Sequence, residues 1–305
     1  MLVWRRSVRW YVASTQPSPK ELRALKELQE MVLFSRSTPP SSSSSSSVDV
    51  LDSISRELKS QDLAKMYSPH SLSKILSNLG KADYNDPILL DKFSLLLLTD
   101  SALAERYSLH DVSLICSGFS ALGVQDYVLF SKLSRVIRRQ IAHKPQGFEG
   151  SDLVRIAIAF TQLRFGDPEL FECLRGAVLS KNINRYIPTE LAHLVRTFAT
   201  MGFKFPDLFQ QISKQLCGNG VDLKQFSSKD LVMILQAFAR FGKSNEVLFD
   251  KLLREMSCRN MAEYDNKHIK VILWSLETLN FAHLDLFHKL WKEYDRRSPH
   301  DPYEF

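Results

Sequence analysis

The sequence lacks the motifs that mark common enzyme classes. It contains no P-loop, no GxGxxG dinucleotide fingerprint, no HExxH metal motif and no GxSxG nucleophile elbow. Its eleven glycines are scattered among 305 residues instead of being gathered in a phosphate-binding loop. We therefore predict a protein that is not an enzyme and needs no cofactor.

Cysteines and long apolar runs are also scarce. The four cysteines are Cys116, Cys173, Cys217 and Cys258. None belongs to a CxxC pair, which argues against a zinc site and against a disulfide framework. His283 and His288 are five residues apart, a spacing that does not place both rings on one helix face, so no metal site is predicted. No apolar run approaches the roughly 18 residues of a membrane span.

Acidic residues are absent from the first twenty positions, which contain Arg5, Arg6, Arg9 and Lys20 beside hydroxyl and aromatic side chains. This composition predicts a mitochondrial transit peptide, although an uncleaved basic tail has the same make-up. Residues 1–47 carry +4 of the formal net charge of +6. The rest of the chain is therefore nearly neutral, and any nucleic-acid surface must come from local clustering of charge.

Composition divides the chain into five segments. They are a transit peptide at 1–20, a helix plus serine-rich linker at 21–47, a capping helix at 48–66, a repeat domain at 67–290 and a tail at 291–305. The linker is predicted because seven consecutive serines, Ser41 to Ser47, bury no apolar surface.

One pattern recurs six times in the repeat domain. Its centre is an apolar anchor, and successive anchors stand 38 to 41 residues apart, a period typical of stacked helical repeats. The anchors are Leu79, Phe119, Phe160, Phe198, Phe238 and Leu276. Eleven residues after each anchor is a second apolar position that always follows a leucine, here called the Leu-Phe position. Its residues are Leu90, Phe130, Phe171, Phe209, Phe249 and Phe287.

Each copy predicts a pair of helices. Aliphatic residues stand seven and four residues before every anchor, which is the buried stripe of an α-helix. Twelve residues before every anchor is an aromatic residue that can staple the helix start. These staples are Tyr67, Tyr107, Phe148, Tyr186, Phe226 and Tyr264. Because one hairpin cannot bury both its faces, the hairpins must stack. We predict an all-α fold, an α-solenoid of about six stacked helical hairpins.

Local signals mark the ends of the first helix of each pair. Ser108 with Asp111, and Ser227 with Asp230, approximate capping boxes at its start. Glycines after the anchor suit the left-handed residue that ends a helix. They are Gly123, Gly166, Gly202 and Gly242.

A stripe of the first helix faces away from the core, at five and two residues before the anchor and two after it. Stacking turns these positions into a row whose long side chains can reach phosphates or bases, with an indole that can stack on a base. The predicted RNA-binding residues are Lys74, Lys81, Arg155, Gln162, His193, Arg196, Gln236, Arg240 and Trp274. A second basic cluster follows on a second helix: Lys132, Arg135, Arg138, Arg139 and Lys144.

The phrase from Ser227 to Gly242, followed by Leu248 and Phe249, resembles the heptatricopeptide-type repeats of organellar RNA-binding proteins. These repeats are related to the arrays of FAST-kinase-like and RAP-domain proteins. The resemblance covers about Tyr67 to Leu290 and implies an α-solenoid that acts on organellar RNA or belongs to a mitochondrial ribosome. Because fifteen residues follow Leu290, the RAP domain is expected to be absent, which favours a binding subunit.

These observations predict a non-catalytic RNA-binding protein of the mitochondrial matrix, in a mitochondrial ribosome or an rRNA-assembly or stability complex. Its partners would be RNA, in the first place rRNA, and the neighbouring proteins of a ribonucleoprotein. The alternative is a protein scaffold of a mitochondrial complex without RNA contact. The nearly neutral repeat domain and the apolar residues Ile158, Met233 and Val271 in the outward stripe support that alternative.

The repeat hypothesis makes a prediction for stability. If Phe198 and Phe249 are core residues, Phe198→Ala or Phe249→Ala removes a buried ring and lowers the free energy of unfolding by roughly 3–5 kcal/mol. Urea denaturation followed by circular dichroism measures the loss. A change within about 0.5 kcal/mol, as at exposed positions, would contradict core packing.

Overall fold

The computed structural model describes residues 26, 44–144, 147–181, 186–218, 221–242, 245–279 and 284–297. Within these ranges the chain is built from helices and has no strand, which confirms the all-α class. The predicted transit peptide and the helix expected after it lie outside the described residues, apart from Lys26. The division into five segments stays a prediction.

Helix α1 spans Ser44–Ser60 and is followed by six helical hairpins. The hairpins are α2 Pro69–Lys81 with α3 Pro87–Thr99, α4 Leu109–Ala121 with α5 Tyr127–His143, α6 Gly150–Gln162 with α7 Pro168–Ser180, α8 Pro188–Met201 with α9 Pro206–Cys217, α10 Ser228–Phe241 with α11 Glu246–Cys258, and α12 Asn266–Thr278 with α13 Leu284–Arg297. The one-turn helices Leu63–Met66 and Leu103–Arg106 and the 3₁₀ turns Leu223–Gln225 and Met261–Glu263 lead into first helices.

The hairpins stack in chain order, with first helices against first helices and second helices against second helices. Successive first helices make the closer contact. Where α2 meets α4, a Cβ atom added to Gly118 would lie 2.6 Å from the carbonyl oxygen of Leu76, so only glycine fits there. This order confirms the α-solenoid, and the tighter layer of first helices forms its inner side.

Aromatic rings join one repeat to the next. The ring at the Leu-Phe position packs edge-to-face on the anchor of the following repeat, with centroid distances of 5.2, 5.5 and 5.3 Å. The three pairs are Phe130 with Phe160, Phe171 with Phe198, and Phe209 with Phe238. All six anchors and all six staple aromatics are buried, as the sequence predicts.

The start signals of the first helices are confirmed. Ser108 Oγ accepts a hydrogen bond from the backbone N–H of Asp111 at 3.1 Å, and the Asp111 carboxylate accepts one from the N–H of Ser108 at 3.0 Å. Ser227 and Asp230 form the same reciprocal pair. These capping boxes satisfy backbone donors that have no partner inside the helix.

Two local predictions are wrong. In the first five repeats, the residue with left-handed backbone stands four positions after the anchor. In the third repeat this residue is Arg164, with φ of 55°, and not the predicted Gly166. Asp83, with φ of 53°, does the same in the first repeat. The packed anchor fixes where the helix ends, and the backbone accepts a strained side chain there. Helix α1 begins at Ser44, so the last four serines of the predicted linker are helical.

The left-handed positions yield a paired prediction. Arg164→Gly relieves backbone strain and raises the free energy of unfolding by about 1 kcal/mol, whereas Gly202→Ala introduces the strain and lowers it by a similar amount. An added Cβ on Gly202 meets no atom within 4 Å, so packing does not confuse the comparison. Denaturant unfolding of both variants checks the opposite signs. If both substitutions changed the free energy of unfolding in the same direction, the assignment of these two positions as left-handed would be refuted.

Candidate nucleic-acid interface

The predicted stripe becomes a continuous surface because neighbouring first helices touch along it. Ser120 Oγ of α4 donates to Oε1 of Gln162 on α6 at 3.1 Å. The guanidinium of Arg196 on α8 lies 3.5 Å from the sulfur of Met233 on α10. We call this surface the inner row and define it as the residues nine, five and two before, and two after, each anchor.

The inner row contains no acidic residue. Seven of its twenty-four positions are lysine or arginine, and none is aspartate or glutamate. Lys229 and Lys267 belong to these seven but were missed by the sequence prediction, which began the stripe one turn later. Their signal was in the sequence, since a residue four positions earlier on a helix shares its face.

Three buried acids of the first helices are used at the helix starts instead, whereas Glu277 on α12 is exposed beside the row. Asp111, Asp152 and Asp230 are the third residues of their helices and are 6, 2 and 3 % exposed. Each accepts hydrogen bonds from its own helix start and from the preceding repeat, so their charges are compensated inside the stack. The net effect is a row whose surface charges are positive.

The cross-repeat bonds of these aspartates follow one pattern. Nδ1 of His70 lies 2.7 Å from Oδ1 of Asp111, and Ser73 Oγ donates to the same oxygen at 3.1 Å. His110 and Ser113 bind Asp152 in the same way, at 2.9 and 3.0 Å. Burial raises the pKa of Asp111, but the hydrogen bonds from Ser108 and His70 outweigh it and hold the pKa below its usual value.

The predicted RNA-binding residues differ in how available they are. Arg196 and Arg240 are exposed, as is Lys81 at the end of α2. Lys74, Gln236 and Trp274 are half-buried with part of the side chain at the surface. Two of the predicted arginines, Arg196 on α8 and Arg240 on α10, therefore lie on adjacent first helices and are open to solvent.

Arg155 has a structural partner. Its guanidinium donates to Oδ1 of Asp152 at 3.0 Å and to Oγ of Ser113 on the preceding helix at 2.6 Å. Because Asp152 is 2 % exposed, reversing the charge of Arg155 would press two carboxylates together at a buried junction. Arg155 is therefore a poor probe of RNA binding.

His193 contributes a neutral ring. Burial lowers its pKa, and the positive charge of Arg196 lowers it further. Near neutral pH the imidazole is therefore uncharged, and it offers a hydrogen bond instead of a countercharge.

The second basic cluster is largely used for packing. Lys132 Nζ donates to the carbonyl oxygens of Leu97, Leu98 and Asp100 at 2.9, 3.0 and 2.6 Å, at the end of the preceding second helix. Arg139 pairs with Glu105 at 2.9 Å, and Arg138 pairs with Glu169. These contacts occupy three of the five basic residues. We therefore place the candidate interface on the inner row.

Other kinds of site are not found in the described part of the chain. No group of three His, Cys, Asp or Glu residues there is placed to hold a metal ion. The four cysteines are unpaired. No helix among the described residues is both long and apolar enough to cross a membrane.

The fold and the inner row define a helical-repeat protein with a basic inner surface. Comparison with protein families gives a match over residues 22–294 to the RNA-editing substrate-binding complex 6 proteins. The match covers most of the 305 residues, and the chain belongs to this family. No curated protein matches the chain.

The cross-repeat aspartates lead to a pH-dependent prediction. Asp111→Ala removes a cap and two bonds to the first repeat and lowers the free energy of unfolding at pH 7 by about 3 kcal/mol. The folded pKa of Asp111 is lowered. The ionic part of this stability is therefore present above about pH 4, where the unfolded carboxyl ionises, and is lost as the pH falls through the folded pKa.

Urea denaturation of the wild type and Asp111→Ala at pH 7, 5 and 3.5 measures this effect, and the difference should narrow at the lowest pH. The exposed Glu277 on α12 supplies the control, since Glu277→Ala should change stability by less than about 0.5 kcal/mol. A difference that is constant with pH would refute the stabilising role of the Asp111 charge.

Proposed function

We propose that this protein binds RNA along the inner row, as a non-catalytic subunit of a mitochondrial RNA-editing complex. The observation that carries the proposal is the absence of acids from the inner row, combined with the exposed guanidinium groups of Arg196 and Arg240. A positive surface whose own positions carry no carboxylate attracts a polyphosphate chain at little electrostatic cost. The name of the family, an RNA-editing substrate-binding complex, agrees with this role.

Different parts of the row would supply different contacts. Lys74, Lys81, Arg196 and Arg240 are suited to phosphate oxygens, as are Lys229 and Lys267. The neutral ring of His193 and the amides of Gln162 and Gln236 can bond base edges, and the indole of Trp274 can stack on a base. Arg155 would contribute mainly by holding the third and second repeats together. The arrangement suits a single strand, whose bases are free to stack and bond.

Three finer points belong to the same proposal. The first is a relation to heptatricopeptide-type and FAST-kinase-like proteins, which rests on the repeat phrase alone. The second is a location in the mitochondrial matrix, which the basic composition of residues 1–20 supports. The third is the kind of RNA: an editing substrate agrees with the family name, whereas rRNA and a ribosomal assembly form a narrower alternative. Sequencing the RNA that crosslinks to the protein in cells distinguishes these substrates.

A second candidate function is a protein scaffold without RNA contact. It is favoured by the nearly neutral repeat domain and by apolar positions within the row, among them the half-buried Ile158 and Val271. Sedimentation discriminates the two functions. A subunit held by RNA leaves its large particle after complete nuclease digestion, and a scaffold remains in it.

Charge reversal on the row tests the proposal directly. The double variant Arg196→Glu and Arg240→Glu should weaken binding of a fluorescein-labelled 20-nucleotide RNA at least tenfold in fluorescence anisotropy. The slope of log affinity against log salt should fall by about 1.4, since each lost phosphate contact on a single strand removes about 0.7.

A matched control has the same charge change in the same two repeats. Lys214→Glu and Arg254→Glu alter exposed residues of the second helices α9 and α11. Arg254 pairs with a carboxylate of its own helix, Asp250, at 2.7 Å. The control should retain wild-type affinity, and both variants should keep their helicity. Equal affinity of the inner-row variant and the wild type would refute RNA binding at this surface.

A further inference from the structure

Two histidines of the inner row stand side by side in the first two repeats. His70 on α2 and His110 on α4 both occupy the position nine residues before the anchor. Their ring centroids are 6.2 Å apart, and the ring planes are inclined by 36°. Their side chains are 51 and 45 % exposed. The pair is therefore accessible to a ligand that lies along the row.

A buried carboxylate of the following repeat orients each ring. Nδ1 of His70 is bound to Oδ1 of Asp111 at 2.7 Å, and Nδ1 of His110 is bound to Oδ1 of Asp152 at 2.9 Å. Because a carboxylate accepts hydrogen bonds, Nδ1 of each ring carries the hydrogen. Within the described residues, Nε2 of neither ring has a hydrogen-bond partner. Each histidine thus presents one nitrogen, Nε2, in a fixed orientation.

The charges around the pair do not favour phosphate as its ligand. Asp111 offsets a positive charge on His70, and Asp152 is matched by Arg155 at 3.0 Å. None of the four row positions of the second repeat is a lysine or an arginine. They are His110, Leu114, Ser117 and Ala121. Phosphate oxygens therefore meet less positive charge beside the two rings than in the fourth and fifth repeats.

A ribose hydroxyl suits the Nε2 atoms better. Nε2 accepts a hydrogen bond when the ring is neutral and donates one when the ring is charged. The 2′-hydroxyl of RNA is both a donor and an acceptor, so it can bond to Nε2 in either state. The separation of 6.2 Å lets the two rings meet neighbouring sugars of one strand. DNA lacks this hydroxyl and would leave both Nε2 atoms without that partner.

We propose that His70 and His110 bind the 2′-hydroxyl groups of single-stranded RNA and so make the protein distinguish RNA from DNA. This inference rests on the proposed binding of RNA along the inner row. It assigns a second task within that row, because lysine and arginine bind phosphates, which RNA and DNA share. The cations then supply affinity, and the two histidines supply the choice of sugar.

Two fluorescein-labelled 20-nucleotide strands of one sequence test the inference by fluorescence anisotropy. One is RNA, and the other is DNA with deoxyuridine in place of uridine, so that only the 2′-hydroxyl groups differ. The full-length wild type should bind the RNA roughly tenfold more tightly or better. The double variant His70→Asn and His110→Asn keeps a side-chain donor for the aspartates and removes Nε2. Its affinity for RNA should fall close to that for DNA, with the affinity for DNA unchanged within about twofold.

A rescue variant and two controls separate this role from a structural one. His70→Gln with His110→Gln places an amide group near the site of Nε2 and should restore part of the preference for RNA. His143→Asn makes the same change as the test variant at an exposed histidine of α5 and should leave the preference unchanged. Arg196→Gln removes a phosphate contact and should weaken both strands alike. Circular dichroism verifies that each variant is folded.

The possible results are distinct. Equal affinity of the wild type for the two strands overturns the inference and leaves RNA binding along the row in place. An equal loss of RNA and DNA affinity in the asparagine variant also overturns it, since the histidines would then contact phosphate or only support the fold. If neither strand binds the wild type, the proposed function fails, and this inference fails with it.

Discussion

The stack depends on one contact, the edge-to-face packing of a second-helix ring on the anchor of the next repeat. It links residues 27 to 30 positions apart, such as Phe130 with Phe160 and Phe209 with Phe238. A single hairpin cannot bury these rings, so the contact makes each repeat stable only beside its neighbours. The three aromatic pairs join the second to the fifth repeats, and at these junctions they fix how the neighbouring hairpins pack.

Hydrogen bonds at the same junctions engage some charged side chains and leave others exposed to solvent. Asp126 caps the start of the second helix α5 by accepting a hydrogen bond from the backbone N–H of Leu129. Its carboxylate also accepts a hydrogen bond from the hydroxyl of Ser94 on the preceding second helix. Lys92, Lys132 and Lys251 donate to the final carbonyls of that preceding helix. A cation there satisfies backbone acceptors and the negative end of the helix dipole. Lys92, Lys132 and Lys251 are occupied in this way, whereas Arg196 and Arg240 of the inner row are exposed.

The sequence predicts the elements of this fold well because the signals are local or strictly periodic. Anchors, staples and capping boxes are read from spacing alone, and all are found. The misplaced Gly166 has a different origin: composition favours glycine, but the packed anchor at Phe160 fixes the helix end at Arg164. The cross-repeat role of Arg155 was also beyond sequence reasoning, because it requires knowing that α4 and α6 bring Ser113 and Asp152 to one point.

The two kinds of position in the repeat are constrained differently. A position that packs between repeats is held apolar, as the six buried anchors are. On the inner row the constraint is weaker at exposed positions such as Arg196 and Arg240, whereas Met233 is buried and Arg155 is held at a buried junction. At those exposed positions the fold does not exclude acids, so their absence agrees with the proposed binding of RNA along the row.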